Sequence, residues 1–131
     1  MVPSLPAVLI DECLPRHFRG IFAQRGWTVY VVGEHFSSGS SDLDVSATAL
    51  DIGAVVVTSD ADFRQLRHAA YGHIGRLESA DRIFFKKCTH SEALARIIEL
   101  MDVVEAEYQY AKRNGRKFSM HITPQSFTIH R

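Results

Sequence analysis

The stretch that decides the fold is residues 54–63, AVVVTSDADF. Four apolar residues follow one another there without polar alternation, which indicates a strand buried on both faces at the centre of a sheet. Short apolar runs alternate with amphipathic segments from residue 7 to about residue 87, a pattern typical of βα units that build a mainly parallel sheet. In such a sheet ligands bind beyond the carboxyl ends of the strands, so Asp60 and Asp62, which follow the run, are candidate functional residues.

Start and stop signals divide the rest of the chain into further strands and helices. The predicted strands are residues 7–10, 28–32, 54–58 and 82–86, followed by a C-terminal hairpin of residues 119–123 and 126–130. The predicted helices are residues 15–25, 41–51 and 64–71, and a long one that runs from a capping box at residues 89–92 to about residue 114. We therefore expect an α/β fold whose mainly parallel sheet is flanked by helices and ends in a hairpin.

Composition narrows the classes of protein to consider. The 131 residues can bury one core, so we expect a single domain over residues 1–131. Fifteen Lys and Arg balance fifteen Asp and Glu, so the chain has no net positive charge that would indicate binding to nucleic acid. Two cysteines, Cys13 and Cys88, match neither a metal knuckle nor a disulfide scaffold. With no signal segment and no run long enough to span a bilayer, a cytoplasmic protein without membrane contact is expected.

Acidic residues follow several of the predicted strands. Asp11 comes directly after the first strand, Asp42 and Asp44 open the helix after the second, and Asp60 and Asp62 follow the central strand. Converging carboxylates repel one another unless a cation joins them. Hard divalent cations prefer oxygen ligands, neutralise charge on a phosphoryl group and activate water, as hydrolysis of a phosphodiester requires. This pattern predicts a Mg²⁺ or Mn²⁺ site at the carboxyl edge of the sheet.

Three of these acids also have a structural explanation. Asp42 and Asp44 complement a helix dipole, and this is the favoured role for either one taken singly. Asp62 has the position of an N-cap for the short helix that follows. Asp11 has no capping role at the end of a buried strand, which favours a functional one. Glu12 would point to the opposite face of the sheet and is assigned to structure or solvent.

Four segments together resemble a known family. They are LIDECLPR at residues 9–16, SSDLDV at 40–45, VVVTSDADF at 55–63 and SMHITPQSFTIHR at 119–131. The family they resemble is the DUF5615 group of PIN-like proteins, often encoded as toxin-like partners in bacterial toxin–antitoxin loci. The resemblance covers residues 8–131, and Cys13 stands where the first motif of the family usually has Asn.

The resemblance implies a three-layer PIN-like fold and a Mg²⁺- or Mn²⁺-dependent ribonuclease with RNA as its substrate. It also implies a toxin role with a cognate antitoxin, and a homodimer. The implied catalytic and metal-ligating residues are Asp11, Asp42, Asp60 and Asp62, with Asp44 as an alternative ligand to Asp42. Thr58 matches a hydroxyl residue that orients a carboxylate or a water.

Basic residues flank the predicted acidic site on both sides. They are Arg16, His17 and Arg19 after the first strand, and Arg64, Arg67 and His68 after the central strand. The four arginines are predicted to contact the phosphates of the RNA, and a solvated helix face is the alternative. No histidine pair has zinc-protease spacing. Lys86 and Lys87 are assigned to the surface, and the aromatic side chains at positions 27, 84 and 85 to the core.

Two other functions compete with the nuclease. The segment from Asp60 to Asp62 resembles the DxD motif of dehalogenase-type phosphatases, but that motif normally follows the first strand rather than the third. Phe63 also stands in the position after the motif, which disfavours this alternative. A non-catalytic binding or regulatory module of the same fold is the second alternative, and the neutral net charge fits it as well as it fits a nuclease.

Overall fold

The computed structural model of the chain describes residues 6–11, 14–31, 53–59 and 81–130. The strands in these ranges are β1 Ala7–Ile10, β2 Thr28–Val31, β3 Ala54–Ser59, β4 Arg82–Phe85, β5 Ser119–Ile122 and β6 Phe127–Ile129. The helices in these ranges are α1 His17–Gln24 and α2 His90–Arg113. The helices predicted at residues 41–51 and 64–71 lie outside the described residues.

The strands form one sheet in the order β2-β1-β3-β4-β5-β6. The first five strands run parallel, and β6 pairs antiparallel with β5. The predicted α/β fold, with its mainly parallel sheet and its C-terminal hairpin, is therefore confirmed. None of the helices in the described ranges combines the length and the apolar character needed to cross a membrane.

The order of the strands creates a switch point at β1. From β1 the chain goes to β2 on one side, and β3 lies on the other side of β1. Connections that leave in opposite directions open a crevice at the carboxyl ends of the two neighbouring strands, and this is where open α/β sheets bind ligands. The carboxyl ends of β1 and β3 are therefore the first place to look for a site.

Strand β3 is an interior strand, as the apolar run predicts. It pairs with β1 on one side and with β4 on the other. Val55 and Val57 are fully buried on one face of the sheet, in the large core cluster, and Val56 is buried on the other, in a small cluster with Leu9. A strand buried on both faces has no place for polar alternation, which explains the sequence of the run.

The large core cluster is covered by both described helices. On α1, Phe18 and Phe22 are fully buried, and the ring of Phe18 meets that of Phe85 edge-on at a centroid distance of 5.6 Å. On α2, Ile97 and Val104 are likewise fully buried. Burial of such side chains contributes about 1.5–3 kcal/mol each. The predicted core aromatics at positions 27, 84 and 85 are buried, as expected.

The ends of α2 are set by local sequence. Thr89 accepts a hydrogen bond from the backbone N–H of Glu92, and the Glu92 carboxylate accepts one from the backbone N–H of Thr89, so the predicted capping box is confirmed. The helix ends before Gly115, which has a φ of 64°. Glycine adopts this left-handed conformation without steric cost.

Helix α1 begins two residues later than the proline signal predicts, at His17 rather than Pro15. The backbone N–H of Phe18 donates to the carbonyl of Pro15, and that of Arg19 donates to the carbonyl of Arg16. These bonds span three residues, so the entry turn is of the tighter 3₁₀ type and precedes the α-helix proper. The left-handed glycine predicted after the last turn of α1 is confirmed, since Gly26 has a φ of 88°, while the helix itself ends at Gln24.

Candidate functional site

Asp11 is held at the carboxyl end of β1 by the parallel ladder. Its backbone N–H donates to the carbonyl of Val57 at 3.0 Å, which extends the pairing of β1 with β3 by one residue. The register that pairs Ile10 with Val57 therefore sets Asp11 beside Thr58. The Asp11 side chain is half-buried, so the fold brings a carboxylate to the switch point without removing it from solvent.

Thr58 fixes the direction of that carboxylate. Its hydroxyl donates a 2.8 Å hydrogen bond to Oδ2 of Asp11, and the Thr58 residue is only 1% exposed. A branched β-carbon restricts the rotamers of threonine, so the hydroxyl has little freedom to turn away. Hydrogen bonds to an ionised acceptor are also stronger than neutral ones. The carboxylate of Asp11 is thus oriented by a rigid, buried partner.

The pair lies on the face of the sheet that carries the small apolar cluster. Successive side chains of a strand point to opposite faces, so Asp11 shares its face with Leu9, and Thr58 shares it with Val56. Leu9 is fully buried and Val56 is 6% exposed. An apolar floor beneath a carboxylate lowers the local dielectric and strengthens its interaction with any cation.

The donor atoms of the pair are all oxygens, the ligand type that Mg²⁺ and Mn²⁺ prefer. One carboxylate does not make a metal site, and within the described ranges no three His, Cys, Asp or Glu residues group closely enough to hold a metal ion. The other predicted ligands, Asp42, Asp44, Asp60 and Asp62, lie outside the described residues. The structure therefore brings together Asp11 and Thr58 of the predicted set.

Two of the predicted phosphate contacts lie near this edge of the sheet. Arg16 and His17 are exposed where α1 begins, six residues or fewer after Asp11 in the chain, and Arg19 is partly buried in the same helix. Because α1 follows the carboxyl end of β1, its first residues start from the edge that carries Asp11. The other two predicted contacts, Arg64 and Arg67, lie outside the described residues, as does the neighbouring His68.

Two further cations lie at the same edge of the sheet and were not predicted as site residues. Lys86 and Lys87 follow β4 and are exposed, as predicted, but the carboxyl end of β4 is also a site-forming position. The rule that selected the acids after β1 and β3 would have selected these lysines had it been applied to every strand. Lys87 has a φ of 55°, a left-handed conformation that residues with a Cβ rarely adopt.

The Cys88 thiol contacts two backbone carbonyls. It donates to the carbonyl of Lys86 at 3.5 Å and lies 3.8 Å from the carbonyl of Ile122. Burial raises the pKa of the Cys88 thiol, and the nearby charge of Glu92 raises it further. A thiol with a raised pKa stays protonated and unreactive at neutral pH.

A comparison with family models finds one that covers the site. A model described as a PIN like domain matches residues 6–74, more than half of the chain. The matched region includes β1, α1, β2 and β3, and with them both Asp11 and Thr58. No curated protein and no solved structure is significantly similar to the chain.

Proposed function

The chain belongs to the PIN-like domain family, and from that premise we propose that it is a Mg²⁺- or Mn²⁺-dependent endoribonuclease. PIN-like domains are generally nucleases that use these cations. The observation that carries the proposal is the 2.8 Å hydrogen bond from Thr58 to Asp11 at the switch point of the sheet. An acid at the end of a central strand, oriented by a buried hydroxyl, has the position and the support of a metal ligand.

The chain supplies this chemistry through a division of roles. The Asp11 carboxylate is the first proposed ligand, and the Thr58 hydroxyl holds one of its oxygens so that the group keeps a single orientation. Asp60 and Asp62 follow β3 in the sequence, and we assign them as further ligands because residues after adjacent parallel strands meet at one edge. When bound, a divalent cation would neutralise charge on the phosphoryl oxygens and make water more acidic.

Either Asp42 or Asp44 completes the proposed set of acids. Both lie in the segment SSDLDV, which resembles the family. Separate Asp42→Asn and Asp44→Asn variants decide between them, because only the true ligand costs affinity for Mn²⁺ when its charge is removed.

We further propose that the protein acts as the toxin of a toxin–antitoxin pair. Its resemblance to PIN-like proteins encoded in such loci supports this role. The test is growth arrest after induced expression in a bacterial host. Arrest by the natural chain, with normal growth for an equally abundant Asp11→Asn variant, supports the role. Arrest by both chains, or by neither, contradicts it, because the proposed toxicity comes from RNA cleavage. A cognate antitoxin and a homodimer remain proposals that follow from the same resemblance.

The central experiment measures cleavage of a single-stranded RNA with Mn²⁺ present. We expect cleavage by the natural chain and a loss of more than about 100-fold in Asp11→Asn, because the substitution removes a ligand charge but keeps the size of the side chain. Asp102→Asn is the matched control, since that side chain is 88% exposed on α2, against the opposite face of the sheet.

This experiment, run beside a phosphate-monoester assay and a titration with Mn²⁺, separates the competing functions. Full cleavage by Asp11→Asn would overturn the proposed site. Hydrolysis of a phosphate monoester without strand cleavage would favour the dehalogenase-type phosphatase. Binding of Mn²⁺ without any hydrolysis would favour the non-catalytic module.

A further inference from the structure

Lys86 and Lys87 form a pair of cations on the same edge of the sheet as Asp11. Both residues follow β4, which runs parallel to β3, and β3 runs parallel to β1. The register pairs Thr58 with Phe84, so Lys86 lies two residues beyond the level of the Asp11–Thr58 pair. Two strand spacings, about 10 Å, separate β1 from β4. The lysines are therefore beside the proposed site without being part of it.

The backbone holds the Lys86–Lys87 pair in a fixed place. The N–H of Lys86 donates to the carbonyl of Ile122 at 2.8 Å, which continues the ladder between β4 and β5. Three residues after Lys86, Thr89 caps α2. The Cys88 thiol donates to the carbonyl of Lys86 and closes the turn between these two anchors. A segment fixed at both ends loses little conformational entropy when it binds a ligand.

The charges of the pair are not used for ion pairing among the described residues. Arg25, Arg96 and Lys112 each form a salt bridge with a carboxylate. Lys86 and Lys87 form none with any residue in the described ranges, and both are exposed. Their charges face solvent at the edge where the substrate of the proposed enzyme would lie.

The conformation of Lys87 makes this placement costly. With a φ of 55°, it is the one non-glycine residue in the described ranges that has a positive φ. Glycine fills the corresponding conformation elsewhere, at Gly26, Gly53 and Gly115. A lysine in this position strains the backbone where a glycine would not. Strained residues of this kind concentrate at functional sites.

We propose that Lys86 and Lys87 bind phosphates of single-stranded RNA next to the bond that is cut. The proposal rests on the proposed ribonuclease function and adds a substrate-binding subsite to it. An overall neutral chain with acids at its site needs local positive charge to hold a polyanion. Phosphate contacts position the strand but do not select its sequence. The lysines are thus positioning residues, not catalytic ones.

The test measures binding of a labelled single-stranded RNA by fluorescence anisotropy at several salt concentrations. The parent protein carries Asp11→Asn so that no RNA is cut. In the Lys86→Gln/Lys87→Gln variant we expect roughly tenfold weaker binding at low salt and a salt slope reduced by about 1.4, since each lost single-strand contact removes about 0.7. Arg113→Gln/Arg116→Gln is the matched control, because both arginines are exposed near the opposite end of α2. It should leave affinity and slope unchanged.

A Lys87→Gly variant separates binding from folding. Glycine relieves the positive φ, so the free energy of unfolding should stay the same or rise while RNA binding weakens. In the cleaving protein, Lys86→Gln/Lys87→Gln should raise KM and leave kcat unchanged. Unchanged affinity and slope in the lysine variants overturn the subsite even when the natural chain cuts RNA. Lysine-dependent binding in a chain that cuts no RNA overturns the proposed ribonuclease and leaves the RNA-binding subsite standing.

Discussion

The hydroxyl of Thr58 and the carboxylate of Asp11, 47 residues apart in the chain, are joined by a 2.8 Å hydrogen bond across the ends of two adjacent strands. The bond exists because β1 and β3 are neighbours in the sheet although β2 comes between them in the sequence. Its consequence is that one proposed ligand arrives already oriented, so binding a cation need not first order that side chain.

Removing the Thr58 hydroxyl tests whether this orientation matters. Thr58→Val keeps the shape of the side chain but leaves Oδ2 of Asp11 without that donor. We expect Mn²⁺ affinity or RNA cleavage to fall roughly 10- to 100-fold, the usual effect of losing a group that orients a ligand. Thr58→Ser keeps the hydroxyl and should retain most of the activity. If Thr58→Val bound Mn²⁺ and cleaved RNA as well as Thr58→Ser, the hydrogen bond would be structural only.

Gly20 within α1 and Gly26 just after it give a matched pair of stability predictions. Gly26 has a φ of 88°, whereas Gly20 lies inside the helix, and a Cβ added at either would meet nothing within 4 Å. Gly20→Ala should therefore stabilise the protein by about 0.5–1 kcal/mol through higher helix propensity, and Gly26→Ala should destabilise it by about 1 kcal/mol through strain. Urea denaturation measures both changes. Effects of the same sign would contradict the assigned end of the helix.

The thiol of Cys88 should respond to the charge of Glu92. Burial is the main cause of its raised pKa, and Glu92 adds to it. Glu92→Gln removes the charge while glutamine can still complete the capping box. In a Cys13→Ser background, alkylation of Cys88 at a fixed pH near 8 should therefore be faster in Glu92→Gln than in the unchanged chain. Equal alkylation rates in the two proteins at this pH would show that Glu92 does not act on the thiol.

The same shift fixes the sign of a pH effect on stability. The pKa of Cys88 is higher in the folded protein than the ordinary thiol value, so the unfolded chain loses its proton first as the pH rises. The stability that the protonated Cys88 thiol contributes is fully present below the ordinary thiol pKa. It is lost as the pH rises through the higher pKa that the thiol has in the folded protein. Cys88→Ala should remove that alkaline dependence, as urea denaturation at several pH values would show.

Much of the fold follows from signals that act over a few residues. The apolar run of β3, the Thr89–Glu92 capping box and the glycine after α1 each specify local structure, and the structure bears out all three. The start of α1 is less accurate, because a proline fits both the entry turn and the first turn of a helix. Strand β4 ends one residue before the predicted end, where the chain bends towards the left-handed Lys87.

The candidate site was less accessible to local reasoning. Asp11 stands out because an acid after a buried strand needs an explanation, but its partner Thr58 depends on which strands are neighbours. Strand order depends on long-range contacts that local sequence signals do not reveal. From the sequence, Thr58 was therefore identified only through the family resemblance. Lys86 and Lys87 were placed correctly on the surface, yet their shared edge with Asp11 emerges only from the register of three strands.

The measurement that tests the central claim most directly is calorimetric titration of the protein with Mn²⁺. The claim is that Asp11 meets acids from after β3 to hold a divalent cation. The natural chain should bind Mn²⁺ with measurable heat, Asp11→Asn and Asp60→Asn should each abolish that heat, and Asp102→Asn should keep it. Unchanged binding in both Asp11→Asn and Asp60→Asn would contradict the claim.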